Sequence, residues 1–254
     1  MRALILSDIH GNLEALNAVL DAATALPGAF EELWNLGDVV GYGGSPNQVI
    51  DRLRPLATIN VRGNHDRVCG GLTSSLGFNP IARAAALWTN QELTPENLIW
   101  LNELPQGPLY PTQPDVSCVH GSPLNEDQYI LSVRDAWAPL QQMTVQLTFF
   151  GHTHLQGGFS QEAEAWHALR PLYRTRNKPE SWTITITGET HHLINPGSVG
   201  QPRDTDWRAA FALFDTEART ITYHRTPYDL TASQGRILMA GLPERLAARL
   251  REGR

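Results

Sequence analysis

Apolar residues in this chain fall into short runs that alternate with stretches spaced for helix. Ala3-Leu4-Ile5-Leu6 is a continuous apolar run, the pattern of a buried strand. After Asn12, a good N-cap, Leu13, Leu16, Val19, Leu20, Ala23 and Leu26 recur at helical spacing. Residues 33–36 predict a second strand that ends at Gly37-Asp38. Ser45-Pro46-Asn47-Gln48 resembles a capping box with proline at the first helical position, opening a helix through Val49, Ile50 and Leu53. A third strand, 58–61, runs into Arg62-Gly63-Asn64-His65-Asp66. This strand–helix alternation predicts a parallel sheet with right-handed crossovers.

The middle of the chain, 79–104, reads as a helical excursion with starts at Asn79-Pro80 and Thr94-Pro95. Residues 116–119 and 145–150 resume the strands, each ending in a loop that carries histidine. The second half changes character. Residues 182–187, 209–214 and 220–223 alternate with period two, which predicts antiparallel strands of a second sheet. The tail, 230–250, is amphipathic helix interrupted at Gly241-Leu242-Pro243. With no repeat or low-complexity linker, the expectation is one α/β domain over 1–254.

Composition narrows the function classes. Hydrophobic residues are 41% and charged residues 18%, which excludes disorder and coiled coil. A formal net charge of -6 argues against non-specific nucleic-acid or membrane-surface binding, though not against a phosphate ester bound at a local cationic site. Two cysteines, Cys69 and Cys118, offer no disulfide framework; with no signal-like start and no long apolar stretch, a cytoplasmic protein is expected. The basic segment 170–178 reads as a solvated loop, and the tryptophans at 34, 88, 100 and 137 read as core.

The chemistry is concentrated where the predicted strands end. Asp8-Ile9-His10-Gly11-Asn12, Gly37-Asp38, Gly63-Asn64-His65-Asp66, His120-Gly121 and Gly151-His152-Thr153-His154 follow one another in order. Open α/β sheets place their sites at the carboxyl ends of strands. In extended backbone, residues two apart point the same way, so Asp8 with His10, and His152 with His154, are each expected to face one cavity. A string such as Gly-Asn-His-Asp arises by chance roughly once in 10^5 positions. Several in order, each after a strand, are not accidental.

These motifs resemble those of the calcineurin-like metallophosphoesterases, in particular their small bacterial and archaeal phosphodiesterase branch. The resemblance runs from Met1 to about Asp206 and includes Asn195-Pro196-Gly197-Ser198-Val199-Gly200-Gln201-Pro202-Arg203-Asp204. It implies two packed mixed β-sheets flanked by helices, a four-layer αββα sandwich. It also implies two divalent metal ions (Mn, Fe, Zn or Ni, with Mn favoured). Asp8, His10 and His154 would take one ion and Asn64, His120 and His152 the other, with Asp38 bridging. His65 would be the catalytic acid and Asp66 would orient its ring. Asn12, Tyr42, Arg203 and the amides of 197–200 are further candidate substrate contacts. Histidines 167, 191, 192 and 224 are read as structural, with His191 and His192 the nearest exceptions because they adjoin the Asn195 motif.

Substrate class is less sharply written. Protein phosphatases and symmetrically cutting tetraphosphatases resemble one another in carrying arginine four residues after the bridging aspartate; here that position is Tyr42. Losing a bidentate clamp favours a singly charged phosphodiester over a doubly charged terminal phosphate. The alternatives are a dinucleoside polyphosphate hydrolase, a serine/threonine-type protein phosphatase, or a binding scaffold without catalysis. Scaffold relatives have eroded ligands, whereas all seven ligand positions and His65 are present here.

Overall fold

The computed structural model describes residues 1–188 and 190–254. Strand β1 (Arg2–Leu6) is buried on both faces: Leu4 and Leu6 turn to one side, Ala3 and Ile5 to the other. On its first face lie α1 (Leu13–Ala25) and α2 (Pro46–Leu53), whose Leu16, Val19, Leu20, Val49, Ile50 and Leu53 pack against Leu4 and Leu6. Asn12 caps α1, its Oδ1 accepting from Ala15 N at 3.1 Å. Ser45, by contrast, does not form the expected capping box. Its hydroxyl makes no cap bond, and proline at the first helical position defines that start instead.

Strands β2 (Glu32–Asn35) and β3 (Ile59–Asn60) add in parallel on one edge of β1. The other edge corrects the sequence reading. The period-two runs do not make a sheet of their own. β8 (Glu180–Thr185), β10 (Ala209–Asp215) and β11 (Thr220–Thr226) extend the first sheet, in the order β3-β2-β1-β10-β11-β8. The backbone groups of a fully buried strand need partners on both edges. β10 supplies them antiparallel, with Leu4 opposite Leu213 and Ile5 opposite Ala212.

The second sheet is built from β4 (Val116–Cys118), β5 (Leu147–Phe149) and three strands that the apolar pattern does not announce: β6 (Gly157–Glu162), β7 (Ala165–Leu169) and β9 (Thr190–Asn195). Its order is β4-β5-β9-β6-β7, with β4, β5 and β9 parallel. Trp34, Phe149, Ile194, Phe214 and Tyr223 join Ala3 and Ile5 between the sheets, where Trp34 and Phe149 meet edge to face at 5.9 Å. α6 (Val133–Gln142) covers the outer face of the second sheet against Phe150, Phe159 and Leu193. The layers are therefore helix, sheet, sheet, helix, as expected.

Between β3 and β4 the chain forms α3 (Asn64–Cys69), α4 (Pro80–Glu92) and α5 (Pro95–Glu103). The last two occupy the stretch expected to be helical, and Asn79 and Thr94 cap them. α4 packs with α7 (Leu230–Met239) and α8 (Glu244–Glu252) in a satellite cluster that also contains Tyr42. Trp34 is core as expected and Trp88 and Trp100 are partly buried, but Trp137 is 53% exposed on α6, whose inner face is already filled by Ala136 and Leu140. The basic segment 170–178 is only half solvated: Tyr173 Oη donates to Gln156 Oε1 at 2.7 Å, and Arg208 Nη1 donates to Lys178 O at 2.6 Å.

His192 of β9 lies opposite Leu147 and Ser160, with neither ring nitrogen bonded among the described residues. Burial, with the charges of His191 and Arg219, lowers its pKa from 6.5 to about 4. The unfolded chain therefore binds a proton that the folded chain refuses, and stability falls as pH drops from about 6.5 to about 4. Exchanging His192→Leu should flatten that acid limb by on the order of a few kcal/mol, read from denaturant unfolding at pH 7 and pH 4. A limb of unchanged slope would contradict the placement of this ring.

Candidate metal centre

The carboxyl ends of β1, β2, β4 and β5 and the start of α3 meet at one edge of the sandwich. There the backbone leaves the extended region abruptly. Asp8, His10, Asp38, His152 and His154 all have positive φ, between 50° and 66°. The alternation expected from extended backbone therefore does not aim these side chains; left-handed turns do. Such residues cost of order 1–3 kcal/mol each and persist only where the surroundings over-determine them. Here the loops bond across to one another. Asp8 N donates to Gly37 O at 3.0 Å, His10 N to Asp38 O at 2.9 Å, and Gly43 N to His10 O at 2.9 Å. Gly151 N donates to His120 O at 2.7 Å, while Asp8 O accepts from Gly200 N at 3.0 Å and Ser198 Oγ at 2.7 Å. Asn195 Nδ2 ties Gly151 O at 2.9 Å. Gly63 is required by close approach, since a Cβ there would lie 2.0 Å from Asp38 Oδ1.

The seven residues named from sequence converge. Asp8, His10, Asp38 and His154 form one buried group with donor atoms within 4.8 Å of one another; Asp38, His120 and His152 form a second. Asn64 joins the second through Oδ1, 3.1 Å from His120 Nε2. Asp38 belongs to both.

The histidine tautomers are set by carbonyls, which only accept. His10 Nδ1 faces Val40 O at 3.1 Å, His120 Nδ1 faces Leu36 O at 2.9 Å and His154 Nδ1 faces Gln201 O at 2.6 Å. Each Nδ1 carries its proton to the carbonyl, so Nε2 of His10 and of His154 presents a lone pair to the centre, and Nε2 of His120 does so once its second proton is lost. His10 Nε2 and His154 Nε2 stand 3.2 Å apart, and His154 Nε2 is 3.3 Å from Asp8 Oδ1, an oxygen with no hydrogen-bond donor. Buried lone pairs and carboxylate oxygens facing one another repel unless a cation lies among them. The donor set, nitrogen and oxygen without thiolate, fits divalent metal ions.

The protein's own groups register this imbalance. Burial pushes the Asp8 carboxyl up to about 7, with Asp38 adding to the shift. Burial alone would raise Asp38 too, but the charges of His120, His65 and His10 outweigh it and hold that carboxyl well below the usual range. His10 and His154 are pushed well below 6.5 by burial, and His152 to about 3. His120 alone goes up, to about 10, because Asp38 overcomes the effect of burial.

Around this centre the remaining candidates sort differently. His65 N donates to Asp38 Oδ1 at 2.8 Å, and its ring lies 4.9 Å from His10, 4.3 Å from Tyr42 and 4.5 Å from Phe78. Asp66 does not orient that ring: His65 Nδ1 is unbonded. Asp66 instead accepts from Val40 N at 3.1 Å and Gly63 N at 3.0 Å, because as the third residue of α3 it folds back on its own helix start. Asn12 is not free for phosphate either, since it caps α1, donates to Gly200 O at 2.9 Å and accepts from Ser233 Oγ at 2.7 Å. The amides of Gly197, Val199 and Gly200 are likewise taken, by Asn195 Oδ1, Ser7 O and Asp8 O. Tyr42 and Arg203 do lie at the rim, where Arg203 N donates to His154 O at 3.2 Å. Histidines 191, 192 and 224 lie in strands away from the centre. Sequence reasoning missed Tyr129, stacked on His152 at 3.9 Å, and Arg249, beside Tyr42. A tyrosine in a loop and an arginine on an amphipathic tail carry no motif.

The sequence model of the calcineurin-like phosphoesterase superfamily domain matches residues 1–219. The chain belongs to the calcineurin-like phosphoesterase superfamily. This phosphoesterase is similar over its whole length to a metallophosphoesterase of Sphaerobacter thermophilus, at 39% identity with a TM-score of 0.83, covering 100% of this chain and 99% of that one. It is 33% identical to an uncharacterized protein of Methanocaldococcus jannaschii over 98% of this chain and 97% of the relative. A hypothetical protein of Pyrococcus horikoshii shares the fold, with a TM-score of 0.79 at 20% identity and coverage of 100% and 98%. The chain is thus a phosphoester hydrolase of a metal-dependent family, with His/Asp clusters suited to metal.

The contacts of Asp66 predict a structural effect. Asp66→Ala should lower the unfolding free energy by about 2–4 kcal/mol, because two buried N–H groups lose their acceptor. Asp66→Asn, which keeps one acceptor, should lose less. Chemical denaturation checks both, and unchanged stability in Asp66→Ala would return Asp66 to a role on the His65 ring.

Proposed function

We propose that this phosphoesterase holds two divalent cations side by side and hydrolyses small phosphate esters at them. Asp8, His10 and His154 would hold one ion, Asn64, His120 and His152 the other, and Asp38 would serve both. The observation that carries this reading is the position of one oxygen. Asp38 Oδ2 lies 3.6 Å from His10 Nε2 and 3.4 Å from His120 Nε2, between the two groups. Mn, Fe, Zn and Ni suit these donors, with manganese the first to try.

When bound, the cations supply positive charge that draws in phosphate and activates a water for attack at phosphorus. Only two carboxylates, Asp8 and Asp38, offset that charge. His65 supplies the proton for the departing oxygen. Burial holds its pKa at about 4, despite the opposing pull of Asp38, so the ring is neutral at pH 7. An anionic substrate beside it favours the protonated form, which the acid role requires. The buried, unpaired cysteines are in keeping with a reducing, cytoplasmic setting, and no described helix is long and apolar enough to cross a membrane.

Tyr42 leads the sequence to favour a phosphodiester over a dinucleoside polyphosphate. The loss of arginine there is offset in space by Arg203 and Arg249, which flank the tyrosine ring. Small esters of either kind are therefore in range of the site.

Two variants test the assignment. Asp38→Ala should retain fewer than two tightly bound ions by elemental analysis and lose nearly all turnover; two ions retained at full occupancy would remove Asp38 from its bridging place. His65→Asn should keep both ions and lose ~10²–10⁴-fold on alkyl esters, with a far smaller loss on nitrophenyl esters, whose leaving group needs no proton. Equal losses across leaving groups would contradict the acid role.

A further inference from the structure

We infer that Arg203 and Arg249 form a two-armed anion clamp around Tyr42, selecting substrates that carry more than the single negative charge of a phosphodiester. The inference rests on the hydrolase reading above and specifies its substrate class. The two guanidinium carbons lie 5.9 and 5.8 Å from the centre of the Tyr42 ring. That ring is itself 4.3 Å from His65 and 4.7 Å from His10, so the two cations stand at the rim of the metal centre.

Neither guanidinium pairs with an aspartate or glutamate side chain among the described residues, although both are half-buried. The neighbouring carboxylates are already committed. Asp204 pairs with Arg225, and Glu252 is held by both Nη atoms of Arg245 at 2.9 Å. The fully buried Arg208 is matched to Asp206, which marks how this protein treats arginines it keeps for structure. Among the described residues Arg203 makes one side-chain bond, Nη2 to Gln201 Oε1 at 3.2 Å, and its buried Nε has no partner. Arg249 bonds the main-chain oxygen of Arg254, the last residue, through Nε alone, and its terminal nitrogens have no hydrogen-bond partner among the described residues. Two like charges placed on one ring with no aspartate or glutamate paired to either oppose each other, and each lowers the cost of binding an anion between them. Burial and the charge of Arg203 depress the pKa of Arg249, in accord with that placement.

The C-terminal helix is fixed in this role by packing. Leu246, Ala247 and Leu250 of α8 share a cluster with Tyr42 and Ile237, so Arg249 is presented from a rigid face. A guanidinium is a planar fork matched to phosphate oxygens. A diester's single charge is spent at the metal ions. A dianionic monoester or an adjoining phosphate in a chain has charge left for the clamp.

The test uses metal-loaded full-length protein and three substrates: the nitrophenyl ester of thymidine 5′-phosphate (a diester), nitrophenyl phosphate (a monoester) and adenosine 5′-diphosphate (a phosphate chain). Arg249→Ala should lower kcat/KM about tenfold, through KM, for the monoester or the diphosphate, and less than about twofold for the diester. Whichever is more affected identifies where the second charge sits. Arg251→Ala, removal of an exposed charge on the same helix, should leave the ratios unchanged. Calorimetric titration with phenylphosphonate, which is not hydrolysed, should show affinity about tenfold weaker in Arg249→Ala. If the wild-type protein binds metal but turns over none of the three, the hydrolase reading falls and the titration alone decides the clamp. Equal losses on diester and dianions, or unchanged phenylphosphonate affinity in both Arg249→Ala and Arg203→Gln, would overturn it.

Discussion

Two carboxylates, Asp8 and Asp38, are buried at 0% and 1% exposure at the ends of adjacent parallel strands, and most of the site is arranged in answer to that fact. An ionised carboxylate in such a place is costly unless positive charge or hydrogen-bond donors meet it. Donors meet part of the demand: His152 N reaches Asp8 Oδ2 at 3.1 Å and His65 N reaches Asp38 Oδ1 at 2.8 Å. The other oxygens point at imidazole nitrogens whose protons are committed to backbone carbonyls. The chain thus builds a cavity edge that is short of positive charge, which divalent cations would supply.

The fold bears the cost of this arrangement in its backbone. Five of the candidate ligands occupy left-handed conformations, and the loops holding them are bonded to one another rather than to solvent. Residues that resemble phosphate contacts in sequence serve as this bracing. Asn12 and the turn at 197–200 link β1 to the loop after β9. Asp66 joins the α3 start to the loop after β2. Rigidity of this kind keeps donor atoms at fixed separation, which metal sites require.

The clustering of these Asp, His and Asn side chains was legible in sequence because each sits in a short motif after an apolar run, and topology then brings strand ends together. The four layers followed from the family resemblance, and the change of period announced further strands. Sheet membership was not: alternation reports that a strand has one covered face, and does not say which neighbour it takes. β10 joins β1 because a fully buried strand must be paired on both edges, a constraint visible only in three dimensions. Backbone handedness at Asp8, His10, Asp38, His152 and His154 was equally hidden, since these side chains permit extended backbone as well. Tyr42 gave half a message. Its missing guanidinium was plain, while the two that flank it come from positions far apart in the chain.

The most direct measurement of the central claim is anomalous diffraction from crystals soaked in manganese. Two peaks should appear at the strand ends, one on the Asp8, His10 and His154 side of Asp38 and one on the Asn64, His120 and His152 side. A single peak, or peaks that leave Asp38 out of contact, would contradict the account.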